Sequence, residues 1–495
     1  MLRVHDLALL AIFVALKIWL LFSWPLLGDE AYWIGLGHHM DIGYYDHPPM
    51  VGWVAAAMQL YGQDLVWLRS IGLLSSAILA WGIYLLLGVA EPSLVFRRRH
   101  FLAALAFFVS PASLALLTLS PQLLLALFGF LGVAFYAVAI LQRSLFWALL
   151  AVVFLGAAAL SSHWLWLPLL GLILFSVFRR ARSGWLIPSF IGVGAVLVGL
   201  INFYYNYTHC WNNVLNGLFV PLAQGESDYR NLIEFFVVLT LFIGPWSIWY
   251  WRRCGARYTG IWQSEIGTLV FWSTLPLVLV LAVVSLWQDV GLYGPLLVAP
   301  ILWLVFRALP EAALLGLFRW SASASLGLGL AIFLVVQSPS QWFAGDHLRS
   351  FEFSRSVGKA CPAIEALPGP LFALDRDRQA VISLVCGRED VFVFAGDDKQ
   401  SRQSDLHIDL RGLDSQQIIV LASSEDDLAR IEPFFESLAS EPLDGSGGGL
   451  IVRGNGFRFD TYRQDFLQPM VRKFYEAPYW FPQPGACPVR ERYGL

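Results

Sequence analysis

Apolar segments of about twenty residues alternate with short polar segments over roughly the first 340 residues of the chain. A helix needs about twenty consecutive apolar residues to cross the hydrocarbon core of a bilayer. The pattern therefore predicts about eleven spanning helices, several of them joined by very short turns. Their predicted bounds are 6–27, 65–88, 101–119, 122–141, 145–160, 163–178, 186–206, 231–250, 266–286, 292–308 and 321–338.

The pattern changes after about residue 341, where charges become frequent and short β-type runs alternate with helical stretches. The runs LFALD, VFVFAG, IIVLAS and LIVRGNG predict strands at 371–375, 391–396, 418–423 and 450–456, and helices are predicted at 378–386 and 424–439. We therefore expect two domains, a membrane core over 1–340 and an α/β domain over 341–495. Within the predicted α/β domain, no glycine-rich phosphate loop stands between a strand and a helix, so no nucleotide site is indicated there.

Composition supports a membrane protein. Hydrophobic residues make up 57% of the chain and charged residues only 14%, against roughly 25% charged in ordinary soluble domains. The net charge is −3 without a basic tract, which argues against nucleic acid as a partner. The first apolar segment begins almost at Met1 and lacks a small-residue cleavage site, so we interpret it as a retained helix.

The arginines indicate the orientation of the chain. Cytoplasmic loops of membrane proteins carry an excess of lysine and arginine. The side that carries most of the arginines is therefore predicted to be cytoplasmic. Loop 28–64 and everything after about residue 339 then lie outside, in the periplasmic or extracytoplasmic space of a cell inner (plasma) membrane. The cytoplasmic arginines in this scheme are Arg97, Arg98, Arg99, Arg143, Arg179, Arg180, Arg182, Arg252, Arg253, Arg257, Arg307 and Arg319.

The five cysteines contain no CxxC pair, so a zinc or redox motif is not indicated. Cys361, Cys386 and Cys487 all fall in the predicted outer domain, where an oxidising compartment permits one disulfide among them. The sequence does not select the pair. It also indicates no cofactor, and a divalent metal is permitted but not indicated.

The first predicted outer loop concentrates polar residues between two apolar spans. Asp29 and Glu30 stand at the exit of the first span, where a carboxylate could act as general base on an acceptor hydroxyl. The alternative is a pair of solvated acids. Short helices are predicted at 28–40 and along the membrane surface at 49–61.

A second group of polar residues follows in the same loop. Tyr45, Asp46 and His47 precede a Pro-Pro pair and combine a stacking ring, an acid and a potential cation. His47 could bind a phosphate oxygen while Asp46 fixes its tautomer or holds a sugar hydroxyl. The alternative is an ordinary turn in which the prolines stop the preceding segment.

Three further charged or titratable residues lie near the predicted spans. Arg69 opens the second span and would either bind an anion such as a lipid phosphate or extend to the headgroups. His163 stands at an outer helix end, as a cavity residue or a cap. Lys17 lies mid-helix in the first span, where it would reach a cavity or form a structural pair.

The loop sequences Gly-Asp-Glu-Ala-Tyr at 28–32 and Gly-Tyr-Tyr-Asp-His-Pro-Pro-Met at 43–50 resemble the protein O-mannosyltransferase-like superfamily. The likeness is greatest to the bacterial branch that includes the aminoarabinose transferase of lipid A. It is most specific over 28–53 and looser over 65–250. The resemblance implies a GT-C fold and an integral-membrane glycosyltransferase of the hexosyl- or pentosyltransferase class.

The resemblance also implies partners and site residues. The sugar would come from a polyprenyl phosphate at the outer membrane face and pass to a lipid, glycan or protein acceptor. The family's loop acid falls on Asp29 with Glu30 beside it, its acidic and basic pair on Asp46 and His47, and its arginine on Arg69. Tyr45 and His163 are further candidates for the donor site, and membrane lipids are expected as further partners.

Two positions depart from the family pattern. Gln122 stands where many relatives have an aspartate, and Ser162 stands where many have a lysine, which His163 could partly replace. These departures keep a catalytically inactive scaffold open as an alternative. A lipid or sugar transporter is a second alternative, although transporters often show internal repeats that this sequence lacks.

Overall fold

The computed structural model describes residues 3–90, 94–179, 186–219, 227–254, 264–287, 290, 294–337, 346–395, 403–445 and 449–495. The chain divides into two compact units. We call residues 1–24, 58–201 and 224–337 the helical unit, and residues 25–57, 202–223 and 338–495 the sheet unit. The first loop is therefore grouped with the C-terminal residues rather than with the spans that flank it.

Long apolar helices dominate the helical unit, as the hydrophobic pattern predicts. In the described ranges, six helices are long and apolar enough to cross a membrane: Val4–Ser23, Leu65–Ala90, Pro121–Gln142, Leu186–Thr208, Glu265–Val284 and Glu311–Gln337. The other helices of this unit are Leu94–Phe108, Pro111–Leu114, Leu145–Ala159, Trp166–Arg179, Tyr229–Ile243, Pro245–Cys254 and Gly294–Leu302. The chain is thus a multi-pass helical protein, and the count of eleven spans stays a prediction.

Two predicted spans are interrupted, and the continuous helices expected there were wrong. The segment 101–119 breaks after Phe108, because Pro111 cannot continue the preceding helix and the Ser110 hydroxyl accepts the Ser113 amide at 3.3 Å. The segment 231–250 breaks at Gly244, whose φ of 85° favours glycine, and restarts at Pro245.

Buried polar groups tie the spanning helices together. The Lys17 ammonium donates to the hydroxyls of Ser76 at 2.9 Å and Ser113 at 2.6 Å. Arg319 in the last long helix donates twice to Asp6 in the first, at 2.7 and 3.2 Å. The two Lys17 hydrogen bonds satisfy a buried charge that would be costly inside a bilayer, so Lys17 forms a structural pairing with hydroxyls.

The sheet unit contains a five-stranded sheet in the order β2-β1-β3-β5-β4. Strand β1 pairs in parallel with β2 and β3, whereas β5 pairs antiparallel with β3 and β4. The four predicted strands are confirmed. The strands are β1 Leu371–Ala373, β2 Val391–Val393, β3 Ile418–Ala422, β4 Ser437–Pro442 and β5 Leu450–Asn455.

The predicted helix 424–439 is only partly correct. A helix covers Asp426–Ile431, a 3₁₀ turn covers Glu432–Phe434, and β4 begins at Ser437. Pro433 stops the helix, and β4 is an edge strand with mostly exposed side chains. An exposed polar edge lacks the alternating apolar pattern by which strands are predicted.

The remaining helices of the sheet unit come from three parts of the chain. They are Gly28–Gly35, Met50–Gln59, Asn212–Val214, Asp346–Glu365, Arg376–Val385, Phe459–Tyr462, Gln468–Phe474 and Pro488–Tyr493. Both short helices expected in the first loop are present. Placement of Met50–Gln59 on the membrane surface stays a prediction.

The sheet unit contains two disulfides. Cys361–Cys386 joins two of the three cysteines considered for pairing in the sequence. Cys210–Cys487 was not foreseen, because its two cysteines are 277 residues apart. It fixes the segment after helix Leu186–Thr208 to the end of the chain.

Candidate functional site

The helix Gly28–Gly35 presents the first acidic pair. Asp29 and Glu30 occupy its first turn, where the helix dipole stabilises negative charge. The Asp29 side chain is 39% exposed, whereas Glu30 is buried. Asp29 is therefore the acid of the pair that a ligand in solvent can reach.

Asp46 and His47 lie in a turn closed by the Tyr44 amide, which donates to the His47 carbonyl at 2.9 Å. The Asp46 carboxylate is only 3% exposed. It accepts the Tyr32 hydroxyl at 2.7 Å on Oδ1, and His47 Nδ1 lies 3.0 Å from the same oxygen. Tyr32 belongs to the Asp29 helix, so the two halves of the loop meet at Asp46.

Arg376 completes the cluster and was missed in the sequence. Its Nη2 donates to Asp29 Oδ1, and its Nη1 lies 3.5 Å from Asp46 Oδ2. Its guanidinium carbon also lies 4.7 Å from the centre of the Tyr32 ring. One partly buried arginine of the C-terminal domain, with 16% of its side chain exposed, thus contacts both Asp29 and Asp46. We call Asp29, Tyr32, Asp46, His47 and Arg376 the acid–arginine cluster.

The fold explains why Arg376 is held there. It is the first residue of helix Arg376–Val385, immediately after β1 and the capping residue Asp375, whose carboxylate accepts the Arg378 amide at 2.7 Å. In sheets with parallel strands, ligands bind beyond the carboxyl ends of the strands. The position of Arg376 could be recognised in the sequence, because charged residues directly follow the predicted strand 371–375.

Burial and neighbouring charges shift the pKa values of the two aspartates of the cluster. Burial raises the pKa of Asp29, and the Arg376 guanidinium only partly opposes this. Burial alone would also raise the pKa of Asp46, but His47, Arg376 and Tyr32 together hold it well below the ordinary value. The two acids therefore differ, with Asp29 the better proton acceptor and Asp46 a permanently charged partner.

Tyr45 lies in the hydrophobic core of the sheet unit. Its ring centre is 5.5 Å from that of Tyr475, and its amide donates to Gln403 Oε1 at 2.6 Å. Only 1% of the residue is exposed. The contacts show a packing role, and the stacking of Tyr45 on a donor stays a prediction.

Arg69 and His163 belong to the helical unit. Arg69 is buried, and its Nη1 donates to the Trp24 carbonyl at 2.5 Å, just beyond the end of the first span. His163 opens a 3₁₀ turn after Ser162, whose hydroxyl accepts the Trp164 amide at 3.4 Å. Their binding of a donor phosphate stays a prediction, as does the effect of Gln122, which lies in the first turn of helix Pro121–Gln142.

In the part of the chain that the structure describes, no group of three or more histidine, cysteine, aspartate or glutamate side chains could hold a metal ion.

The long apolar helices and the small C-terminal sheet domain define a polytopic membrane protein with a GT-C-type fold. Among solved structures, the chain is similar to two crystal structures of ArnT from Cupriavidus metallidurans. One is bound to undecaprenyl phosphate and matches with a TM-score of 0.61 and 14% identity, and the other is in the apo state and matches with 0.60 and 15%. Each match covers 90% of this chain and 97% of the ArnT chain. At this identity the likeness shows the fold alone. No family model and no curated protein matches the sequence.

Proposed function

We propose that this chain is an integral-membrane glycosyltransferase. It moves a sugar from a polyprenyl phosphate to a lipid, glycan or protein acceptor. The proposal rests above all on one observation: the partly exposed carboxylate of Asp29 is held by a partly buried arginine beside an aspartate–histidine pair. The resemblance of the first loop and the ArnT-like fold support the same function.

The cluster suits the chemistry of transfer from a glycosyl phosphate. Asp29 takes the proton of the acceptor hydroxyl as that oxygen attacks the anomeric carbon. The bond from this carbon to the phosphate oxygen breaks, and the polyprenyl phosphate leaves as an anion. Preorganised cations stabilise such developing charge, and we assign this role to His47 and Arg376, with Arg69 and His163 as further candidates from the sequence.

Asp46 has a positioning role in this scheme. Its charge orients His47, because Nδ1 of the ring lies 3.0 Å from the Asp46 carboxylate. The other ring nitrogen, Nε2, is the one that we assign to the donor phosphate. Tyr32 and Arg376 hold Asp46 in turn.

The proposed location is a cell inner (plasma) membrane with the sheet unit in the periplasmic or extracytoplasmic space. The arginine bias of the loops supports this, and so do the two disulfides, because disulfides persist in oxidising compartments.

Thiol counting tests this location. Protein denatured without reductant is expected to react with a maleimide at one cysteine, Cys254, and after reduction at all five. Mass spectrometry of the labelled chain measures the count. As a further check, cells are broken in the presence of a thiol-blocking reagent and the blocked cysteines are counted without reduction. Blocking at all five cysteines would place the sheet unit in a reducing compartment.

A transfer assay tests the enzyme class. The purified chain in nanodiscs receives a radiolabelled polyprenyl-phosphate sugar and a mixture of lipid, glycan and peptide acceptors. We expect labelled acceptor and polyprenyl phosphate to form in equal amounts. In sealed vesicles, movement of the intact donor across the bilayer without its cleavage would instead show a transporter. If neither transfer nor movement occurs with any donor, the result favours a catalytically inactive scaffold.

A further inference from the structure

The segment 475–487 carries an exposed aromatic turn that the proposed chemistry does not use. The Phe481 amide donates to the Pro478 carbonyl at 2.8 Å, which closes a four-residue turn with Tyr479 and Trp480 at its tip. Tyr479 is 94% exposed and Trp480 is 62% exposed. Tyrosine and tryptophan are enriched at interfaces because they join an apolar ring to a polar atom, so two adjacent exposed ones at a turn tip point to an interaction surface.

This turn is fixed to the end of a membrane-length helix. The Gly485 amide donates to the Tyr207 carbonyl at 2.8 Å, in the last turn of helix Leu186–Thr208. Phe481 packs edge-on against Trp211, with ring centres 5.0 Å apart. The disulfide Cys210–Cys487 links the same two segments covalently. The aromatic turn therefore cannot move independently of that helix end.

The helix end is itself aromatic. Phe203, Tyr204 and Tyr207 all expose their side chains on its last turns. The 23 residues of the helix rise about 34 Å, slightly more than the hydrocarbon thickness of roughly 30 Å. When a helix of this length crosses a bilayer, its last residues lie at the level of the lipid headgroups, where tyrosine and tryptophan are enriched because they join an apolar ring to a polar atom.

We propose that Tyr479 and Trp480 form a membrane-interface anchor that inserts at the level of the lipid headgroups beside the end of helix Leu186–Thr208. The partner is the bilayer itself rather than a soluble protein, because the turn is bonded to a helix that is long and apolar enough to cross a membrane. This inference is independent of the proposed sugar transfer, since it uses no residue of the acid–arginine cluster.

A depth measurement tests the anchor. Tyr479→Cys is made in a Cys254→Ser background, both disulfides are verified by mass spectrometry, and the new thiol carries a polarity-sensitive fluorophore. The protein is placed in nanodiscs of phosphatidylethanolamine and phosphatidylglycerol that contain spin-labelled lipids. We expect blue-shifted emission, and quenching at least about twofold stronger by a headgroup spin label than by one deep in the acyl chain.

The matched control is Ser440→Cys, an exposed position on the edge strand β4, labelled in the same background. Its emission should resemble that in water and remain unquenched. Water-like, unquenched emission at position 479 would overturn the anchor. Blue-shifted emission without quenching by any spin-labelled lipid would indicate a protein contact at the turn and would also overturn it.

Discussion

Asp29→Asn is expected to lower kcat/KM for sugar transfer by about 10²–10⁴-fold, the usual contribution of a general base. Asparagine keeps the size and one oxygen of the side chain but cannot accept the acceptor's proton. Arg376 would still lie beside it, so the arrangement of the cluster should persist. Initial rates of label transfer from the polyprenyl-phosphate sugar measure the effect, with thermal unfolding as a check on folding.

The control for this variant is Asp41→Asn, which makes the same chemical change in the same loop. Asp41 is exposed, and its carboxylate accepts only the neighbouring Ile42 amide at 2.6 Å among the contacts described. Its activity should equal that of the wild type. Equal transfer by Asp29→Asn and the wild type would remove Asp29 from the mechanism while leaving the enzyme class intact.

Arg376→Gln is expected to lower both stability and activity. The change leaves Asp46 buried without its guanidinium partner, and breaking a buried ion pair typically costs about 3–5 kcal/mol. Because Asp29 is 39% exposed, solvent screens part of the loss, and we expect a decrease of about 2 kcal/mol in the free energy of unfolding. The unfolding midpoint in detergent, measured against wild type, gives this difference.

The pH dependence separates the effect of Arg376 on stability from its effect on activity. The pKa of Asp46 is depressed in the folded protein, so its contribution to stability is complete above the unfolded aspartate pKa of roughly 3.9 and is lost as the pH falls below it. The stability deficit of Arg376→Gln should therefore shrink in acid, as the carboxylates become protonated.

Activity should respond in a way that destabilisation alone cannot produce. Arg376 opposes the burial that raises the pKa of Asp29, so its removal raises that pKa further. The acid limb of the kcat/KM profile should then move to higher pH. Arg378→Gln is the matched control, since Arg378 is similarly buried on the same helix but pairs with Asp375 at 3.3 Å. An unshifted acid limb in Arg376→Gln would contradict the contact between Arg376 and a catalytic Asp29.

Three residues of the acid–arginine cluster were identified from the sequence, whereas Arg376 was missed. Asp29, Asp46 and His47 lie within a short loop, where unusual polarity between apolar spans marks them. Arg376 lies 347 residues beyond Asp29, and no periodicity relates two such distant segments. The local indication of its importance was a charged residue directly after the predicted strand 371–375.

The same contrast holds for the fold. Spanning helices and apolar strands follow from hydrophobic runs, so helices such as Pro121–Gln142 and strands such as β3 were predictable. β4 was not, because its residues face solvent and its pairing with β5 is made through the backbone. The grouping of the first loop with the C-terminal residues depends on tertiary packing, which the hydrophobic pattern does not encode.

The Cys210–Cys487 bond sets an order of events during biosynthesis. Cys210 emerges from the ribosome long before its partner, so it cannot form this bond until the 277 residues up to Cys487 have been synthesised. During that interval Cys210 can form a non-native disulfide with Cys361 or Cys386, because both are synthesised before Cys487. Correct maturation therefore depends on those two closing with each other, or on an isomerase that reopens a mistaken bond.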